Sequence, residues 1–134
     1  MVVLDASIVI AWAYREEGER LDALIRHVAA EFASVPAHWV LEVTNTLLQS
    51  ERGGRLSKRQ RLEIADSIRT LPIRLDVETP LRGWHETTAL AEQYGLTTYD
   101  AAYLELALRL QLPLATLDQD LSRAAREAGV PLFE

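Results

Sequence analysis

The chain reads as an α/β protein with a parallel sheet covered by helices on both faces. Two observations carry that reading. Short apolar runs with strand character alternate with amphipathic runs of helical period along all 134 residues. Consecutive strand signals are separated by helical ones, so each crossover returns the chain in the same direction and the strands pair in parallel.

Each element has its own signal. Met1 to Leu4 is a short, β-branched-rich run of the kind a buried parallel strand needs. Ser7 suits the N-cap of a helix over Ile8 to Tyr14. Gly18 interrupts the pattern before Leu21, Leu24, Ile25 and Val28 resume it at helical spacing. Phe32 to Val35 is a second short strand, closed by Pro36. His38 to Glu51 is a helix stopped by the Gly53–Gly54 pair. Ser57 and Gln60 form a capping-box pattern that opens a helix with the stripe Leu62, Ile64, Ala65, Ile68 and Leu71. Pro72 ends it, and Ile73 to Val77 alternates as a strand. Thr79 followed by Pro80 is an N-cap with proline at the first helical position, and that helix stops at Gly95. The next helix begins around Tyr99–Asp100 and runs to about Leu110. Leu114 to Leu117 is a strand, Leu121 to Ala128 a helix closed by Gly129, and Pro131 to Phe133 a short last strand.

Bulk properties exclude several classes. A chain of this length is most simply one domain, residues 1–134, with a single sizeable core. Cysteine is absent, which removes a disulfide framework and any thiolate metal site, and suits a reducing, cytoplasmic setting. No apolar run approaches the roughly 20 residues of a membrane span, and Asp5 breaks the first apolar stretch, so neither a signal peptide nor a membrane anchor is expected. The net charge of −6 argues against a surface that attracts nucleic acid everywhere. The basic residues, all but one of them arginine, are unevenly spread: Arg52, Arg55, Lys58, Arg59 and Arg61 cluster around Gly53–Gly54. Such a tip has two readings, a phosphate-binding patch or a solvated turn between helices.

Four acids stand out. Asp5 ends the first strand, and Asp118 ends the strand Leu114–Leu117. Glu42 lies in a helix with Asn45 three residues on, and Asp100 opens a helix. In open parallel sheets the functional crevice lies beyond the carboxyl ends of the strands, which is where Asp5 and Asp118 stand. Carboxylates brought together repel one another unless a cation or shared protons intervene. Ligands that are all oxygen favour a hard cation such as Mg²⁺ or Mn²⁺. Each acid also has a structural reading. Asp5 suits a helix cap, although Ser7 is available for that role. Asp100 would be favoured by the helix dipole alone. Asp118 and Asp120 compete to cap the last helix, and Thr116 either bonds to the site or merely fits its strand. Glu42 sits among apolar neighbours, Trp39-Val-Leu-Glu-Val, where an unpartnered carboxylate is costly. His27, His38 and His85 have no paired ligand spacing and read as structural or exposed. Trp12, Trp39 and Trp84 read as core or interface residues, and Glu16, Glu17 and Glu19 as solvated charges.

Asp5-Ala-Ser7 after the first strand, Trp39-x-x-Glu42-x-x-Asn45, Thr98-Tyr-Asp-Ala-Ala-Tyr-Leu-Glu-Leu-Ala107 and Leu114-Ala-Thr-Leu-Asp-Gln-Asp-Leu121 together resemble the PIN-domain ribonucleases, and most of all the VapC toxins of toxin–antitoxin pairs. The resemblance spans nearly the whole chain in the family's order. It implies a PIN-like three-layer fold, a central parallel sheet of strand order 3-2-1-4-5 with helices on both faces. It implies catalytic, metal-binding acids at Asp5, Glu42, Asp100 and Asp118, with Ser7, Asn45 and Thr116 in support; Asp120 lies outside the pattern carried over. It implies a Mg²⁺- or Mn²⁺-dependent ribonuclease, an RNA substrate, frequent homodimers, and a small VapB-like antitoxin partner. On the phosphate-binding reading of the basic tip, Arg52, Arg55, Lys58 and Arg59 are the residues that would contact that RNA.

Two other classes fit parts of the pattern. A receiver-like domain clusters carboxylates around Mg²⁺, but it requires a late lysine, and the only lysine is Lys58. A PIN-like module with a binding or regulatory role only would not require an intact acidic quartet.

Overall fold

The computed structural model describes residues 1–14 and 18–133. Glu16 and Glu17 lie outside the described residues. Strands β1 (Val2–Leu4), β2 (Ala33–Val35), β3 (Ile73–Leu75) and β4 (Leu114–Ala115) form one parallel sheet in the order β3-β2-β1-β4. Val3 is paired with Ser34 on one side and Leu114 on the other, so β1 is central. Chain order reverses between β1 and its neighbour β4, which creates a crevice beyond the ends of those two strands.

The helices are α1 (Ala6–Ala13), α2 (Gly18–Glu31), α3 (Trp39–Arg52), α4 (Lys58–Arg69), α5 (Thr79–Arg82), α6 (Thr88–Tyr94), α7 (Thr98–Leu110) and α8 (Gln119–Ala128). A π-helical turn over Gly83–Thr87 joins α5 to α6. Helix α1 packs against α2, α3 and α4, while α7 packs on β1 and β4 and against α6 and α8. The core forms because β1 has no polar face: Val2, Val3 and Leu4 are fully buried. Each contributes roughly 1.5–3 kcal/mol of burial. Leu21, Leu24 and Val28 of α2, with Val43 and Leu47 of α3, join that core.

Several boundaries differ from the sequence expectation for local reasons. Phe32 is not a strand residue; it adopts a left-handed conformation (φ 73°) at the end of α2, where its N–H donates to the Val28 carbonyl. Val77 is 86% exposed and β3 stops at Leu75. Strand β4 ends at Ala115; beyond it the Leu117 N–H donates to the Ser7 hydroxyl rather than to a neighbouring strand. The fifth strand is not formed: Leu132 makes one isolated parallel bridge to Leu114, giving an observed order of 3-2-1-4. Ser7 is not the cap of α1, since Asp5 holds that position. Thr79 lies inside α5 rather than capping it, and donates to the Asp76 carboxylate at 2.8 Å. The Ser57–Gln60 capping box is formed on both sides. Trp39 is buried, Trp12 half-buried, and Trp84 80% exposed.

Candidate active site

The crevice brings the acids together. Asp5, Glu42, Asp100 and Asp118 line a single cavity of about 300 Å³ with Ala6, Ser7, Ile10 and Thr46. No basic side chain is among these lining residues. Each acid sits at the start of a helix: Asp5 at the N-cap of α1, Glu42 in the first turn of α3, Asp100 in the first turn of α7, Asp118 at the N-cap of α8. The positive ends of four helix dipoles therefore offset part of the gathered negative charge, by about 0.3–1 kcal/mol each.

Asp5 is almost fully buried, and its carboxylate does not cap the helix it precedes. Its Oδ2 accepts from Thr116 Oγ1 at 2.6 Å and from Ser7 Oγ at 2.8 Å. Those hydroxyls in turn accept backbone N–H groups: Thr116 Oγ1 from Asp118 and Ser7 Oγ from Leu117, both at 3.0 Å. Two parallel relays thus tie the segment after β4 to the segment after β1. Burial pushes the Asp5 carboxyl up, the two hydroxyl bonds oppose that rise, and the charges of Glu42 and Asp118 add to it.

Asp118 is held by its own cap, its Oδ1 accepting the Leu121 N–H at 2.8 Å. The competition between Asp118 and Asp120 for that role is settled: Asp118 caps α8 and Asp120 is exposed in its first turn. Asp100 follows the cap residue Thr97, whose hydroxyl accepts the Asp100 N–H. Burial, then the charges of Asp118, Asp5 and Glu42, raise its carboxyl to about 6.

Glu42 is anchored by two groups absent from the sequence expectation. Tyr103 donates its hydroxyl to Glu42 Oε1 at 2.8 Å, and His38 Nε2 lies 2.9 Å from the same oxygen. Burial and the charges of Asp5 and Glu42 push the Tyr103 hydroxyl far above its ordinary range, so it remains a donor. His38 is therefore not a bystander among the histidines. Its local signal was the four-residue spacing to Glu42, which places the pair on one helical face; Tyr103 had only its three-residue spacing from Asp100.

Beside the acid cavity, and sharing Glu42 and Asp100 with it, runs a trough of about 800 Å³ bordered by Leu41, Asn45, Arg61 and Tyr99 among others. Asn45 is exposed on this trough. Arg61 is paired with Glu51 at 2.6 Å. Arg52, Arg55, Lys58 and Arg59 line neither space; they are exposed around the α3–α4 turn, where Arg55 stacks on the Tyr14 ring at 4.0 Å and Arg59 pairs with Glu63 at 3.1 Å.

A divalent cation is the group such a site implies. The donors are all oxygen, which suits a hard ion. Among the described residues no three acids or histidines converge as a ready-made metal cage. An open ring of carboxylates fits Mg²⁺, which keeps waters and uses one or two carboxylates together with substrate phosphate rather than a closed protein cage. The residues fit the ion.

The chain is also similar to known proteins throughout its length. The profile of the PIN domain matches residues 2–127. Ribonuclease VapC3 of Mycobacterium tuberculosis is 31% identical over 124 residues, covering 92% of this chain and 86% of the relative. Among solved structures, PAE2754 from Pyrobaculum aerophilum superposes with a TM-score of 0.64 at 27% identity, covering 92% of this chain and 87% of that one. FitAcB from Neisseria gonorrhoeae gives a TM-score of 0.69 at 17% identity over 100% of this chain and 97% of that one, a likeness of fold.

Proposed function

The chain belongs to the PIN-domain family, and from that premise we propose that it is a metal-dependent endoribonuclease, the toxin of a toxin–antitoxin pair. One observation carries the proposal: four carboxylates line one small cavity that, among the described residues, no arginine or lysine lines. The relative named Ribonuclease VapC3 supports RNA as the substrate.

Asp5, Glu42, Asp100 and Asp118 would hold Mg²⁺ or Mn²⁺, which when bound supplies Lewis-acid polarisation of the phosphate and of the attacking water. The chain's own residues supply position. Ser7 and Thr116 fix the Asp5 rotamer through Oδ2, and the α8 cap fixes Asp118. Asn45 borders the trough along which the RNA backbone approaches. The reaction is hydrolysis: water adds to phosphorus in line with the departing oxygen, and that P–O bond breaks. Holding acceptor and water in this geometry supplies part of the acceleration, and stabilising the charge that develops on the phosphate supplies the rest.

A small antitoxin closes the picture. A segment carrying a basic residue between apolar ones would meet both the acids and the apolar surface of α1, where Trp12 is half-buried. The toxin acts as a homodimer in the cytoplasm. The test is cleavage of total RNA with and without a chelator. Excess chelator should abolish cleavage, Mn²⁺ should restore it, and Asp5→Asn should need more Mn²⁺ for the same rate. Undiminished cleavage in chelator would refute the proposal.

A further inference from the structure

The geometry points to His38 and Tyr103 as positioning residues that hold Glu42 against its fellow acids, as Ser7 and Thr116 hold Asp5. The inference rests on the nuclease reading above and deepens it.

Glu42 has the longest side chain of the four acids and three rotatable bonds before its oxygens. With three other carboxylates around the same cavity, repulsion favours rotamers that carry it away from them. Two groups oppose that movement, and both choose Oε1: the Tyr103 hydroxyl at 2.8 Å and His38 Nε2 at 2.9 Å. A buried tyrosine needs an acceptor, and any backbone carbonyl would serve. Here the acceptor is a carboxylate on the cavity wall, reached across 61 residues of chain.

His38 is held more firmly than an ordinary surface histidine. Its Nε2 also lies 3.1 Å from the Tyr99 carbonyl oxygen. Both neighbours can only accept, so the tautomer with its proton on Nε2 is the one that fits, its hydrogen bond going to the Tyr99 carbonyl with Glu42 Oε1 alongside. The ring packs beside Tyr99, with centroids 5.9 Å apart, and edge-on to Tyr103 at 5.5 Å. His38 stands at the N-cap of α3, whereas Tyr99 and Tyr103 flank Asp100 on α7. The two contacts therefore join the helix carrying Glu42 to the helix carrying Asp100. They fix the separation of two acids that otherwise repel.

The test uses the whole purified chain with three readouts: Mn²⁺ affinity by calorimetry in the absence of RNA, kcat and KM for RNA cleavage, and melting temperature. Tyr103→Phe removes one hydroxyl, and His38→Leu removes the ring donor. Each should lower kcat and weaken Mn²⁺ binding about tenfold, the usual cost of losing a group that orients a ligand, with KM little changed. His38→Gln, whose amide nitrogen reaches the same point, should recover most of both. Glu42→Gln is the control. Should Tyr103→Phe fail to fold, the His38→Leu and His38→Gln pair decides alone. If these variants lose melting temperature yet keep parental Mn²⁺ affinity and kcat while Glu42→Gln is inactive, His38 and Tyr103 are structural and the inference falls by itself. If Glu42→Gln is fully active, the role of Glu42 in the nuclease reading falls and takes the inference with it.

Discussion

Helix α7 carries an acid cluster towards each end, and the two are built on opposite principles. At its start, Asp100 shares a cavity with Asp5, Glu42 and Asp118, and among the described residues no arginine or lysine lines that space. Near its end, Arg109 gathers three carboxylates: Asp76 at 2.7 Å, Glu105 at 2.8 Å and Glu78 at 3.1 Å. Titration follows the difference. Burial pulls Asp76 upward, but the Arg109 hydrogen bonds and charge, with the Thr79 hydroxyl, outweigh it and hold the carboxyl below its ordinary value. Asp100 goes the other way, to about 6. The same residue type is a structural clasp where the chain provides its own counter-charge. Where the described residues supply none, the carboxylates repel one another, and a bound cation, as proposed above, would relieve that repulsion. Such local cost is retained where a site needs it.

The sharpest way to break this contrast is to remove one charge from the uncompensated cluster. Asp118→Asn keeps the α8 cap, since asparagine caps helices as well as aspartate does, yet removes a charge from the cavity. RNA cleavage should fall by about 10²-fold, while the metal-free protein at pH 7 should melt no lower than the parent, since one source of repulsion on Asp100 is gone. Asp120→Asn, exposed in the first turn of α8 and not among the cavity's lining residues, should cleave at the parental rate. A reversed ranking in the cleavage assay would show that Asp118 is a cap and nothing more.

The compensated cluster should respond in stability instead. Arg109 is largely buried, with 15% of its side chain exposed. Arg109→Ala leaves Asp76, Glu78 and Glu105 facing one another without a counter-ion. Breaking a mostly buried ion-pair network of this kind costs about 3 kcal/mol, measurable as a lower denaturation midpoint in urea. Cleavage per folded molecule should be unaffected. A mild loss of stability combined with a large loss of kcat would mean that the two ends of α7 are coupled.

How much of this was legible in the sequence differs between the two clusters for a physical reason. The four cavity acids could be read because each stands at an element boundary beside a recognisable local pattern, Asp5-x-Ser7 or Glu42-x-x-Asn45. Ser7 and Thr116 were legible as support for the same reason. The Arg109 network was not: Glu105 lies one helical turn from Arg109, but Asp76 is 33 residues away and meets it only because β3 ends beside α7. Tyr103 escaped similarly, its partner being 61 residues distant. The strand ends were misread because apolar and β-branched residues at Phe32, Val77 and Thr116 look like strand whether or not a ladder partner exists. Only tertiary hydrogen bonds decide that, and past β4 the Leu117 N–H goes to the Ser7 hydroxyl.

The opposite titration shifts give opposite pH slopes. Asp100 has a folded value raised above that of the free residue, so the folded metal-free protein binds more protons than the unfolded chain between about pH 4 and 6. Its contribution to stability is greatest below that window and is lost as pH rises through it; Asp5 acts in the same sense. Asp76 has a lowered value, so its contribution is present above about pH 4 and is lost as pH falls further. The metal-free protein should therefore unfold at its highest temperature near pH 4–5 and lose stability toward pH 7. Asp100→Asn should flatten that decline and raise the melting temperature at pH 7 by roughly 3 °C, while Mn²⁺ should do the same for the parent chain. A melting temperature of the metal-free parent that climbs steadily from pH 4 to 7 would contradict the repulsion described for the cavity.

The smallest effect concerns a third kind of charge cluster, compensated mostly by solvent. RNA brings further negative charge to a chain of net charge −6, and the acid cavity cannot attract it. Counter-charge must come from elsewhere, and the exposed turn bearing Arg52, Lys58 and Arg59 is the densest supply. Arg52 ends the helix that Glu42 begins, about 15 Å further along its axis, within the span of a short RNA segment. Each phosphate contact made there releases condensed counterions, contributing about 0.7–0.9 to the slope of log affinity against log salt. Changing Arg52, Lys58 and Arg59 to serine together should flatten that slope by about 2 if all three reach phosphate. Because Arg59 is already engaged with Glu63, a change nearer 1 is the lower expectation. Binding is measured with a non-cleaving Asp118→Asn background at several salt concentrations, and Mn²⁺ affinity measured alongside on the Asp118 parent should not move, since none of the three residues lines the cavity. A slope that stays the same would return the turn to ordinary solvated surface and leave the trough beside Glu42 and Asp100 to hold the RNA with few phosphate contacts of its own.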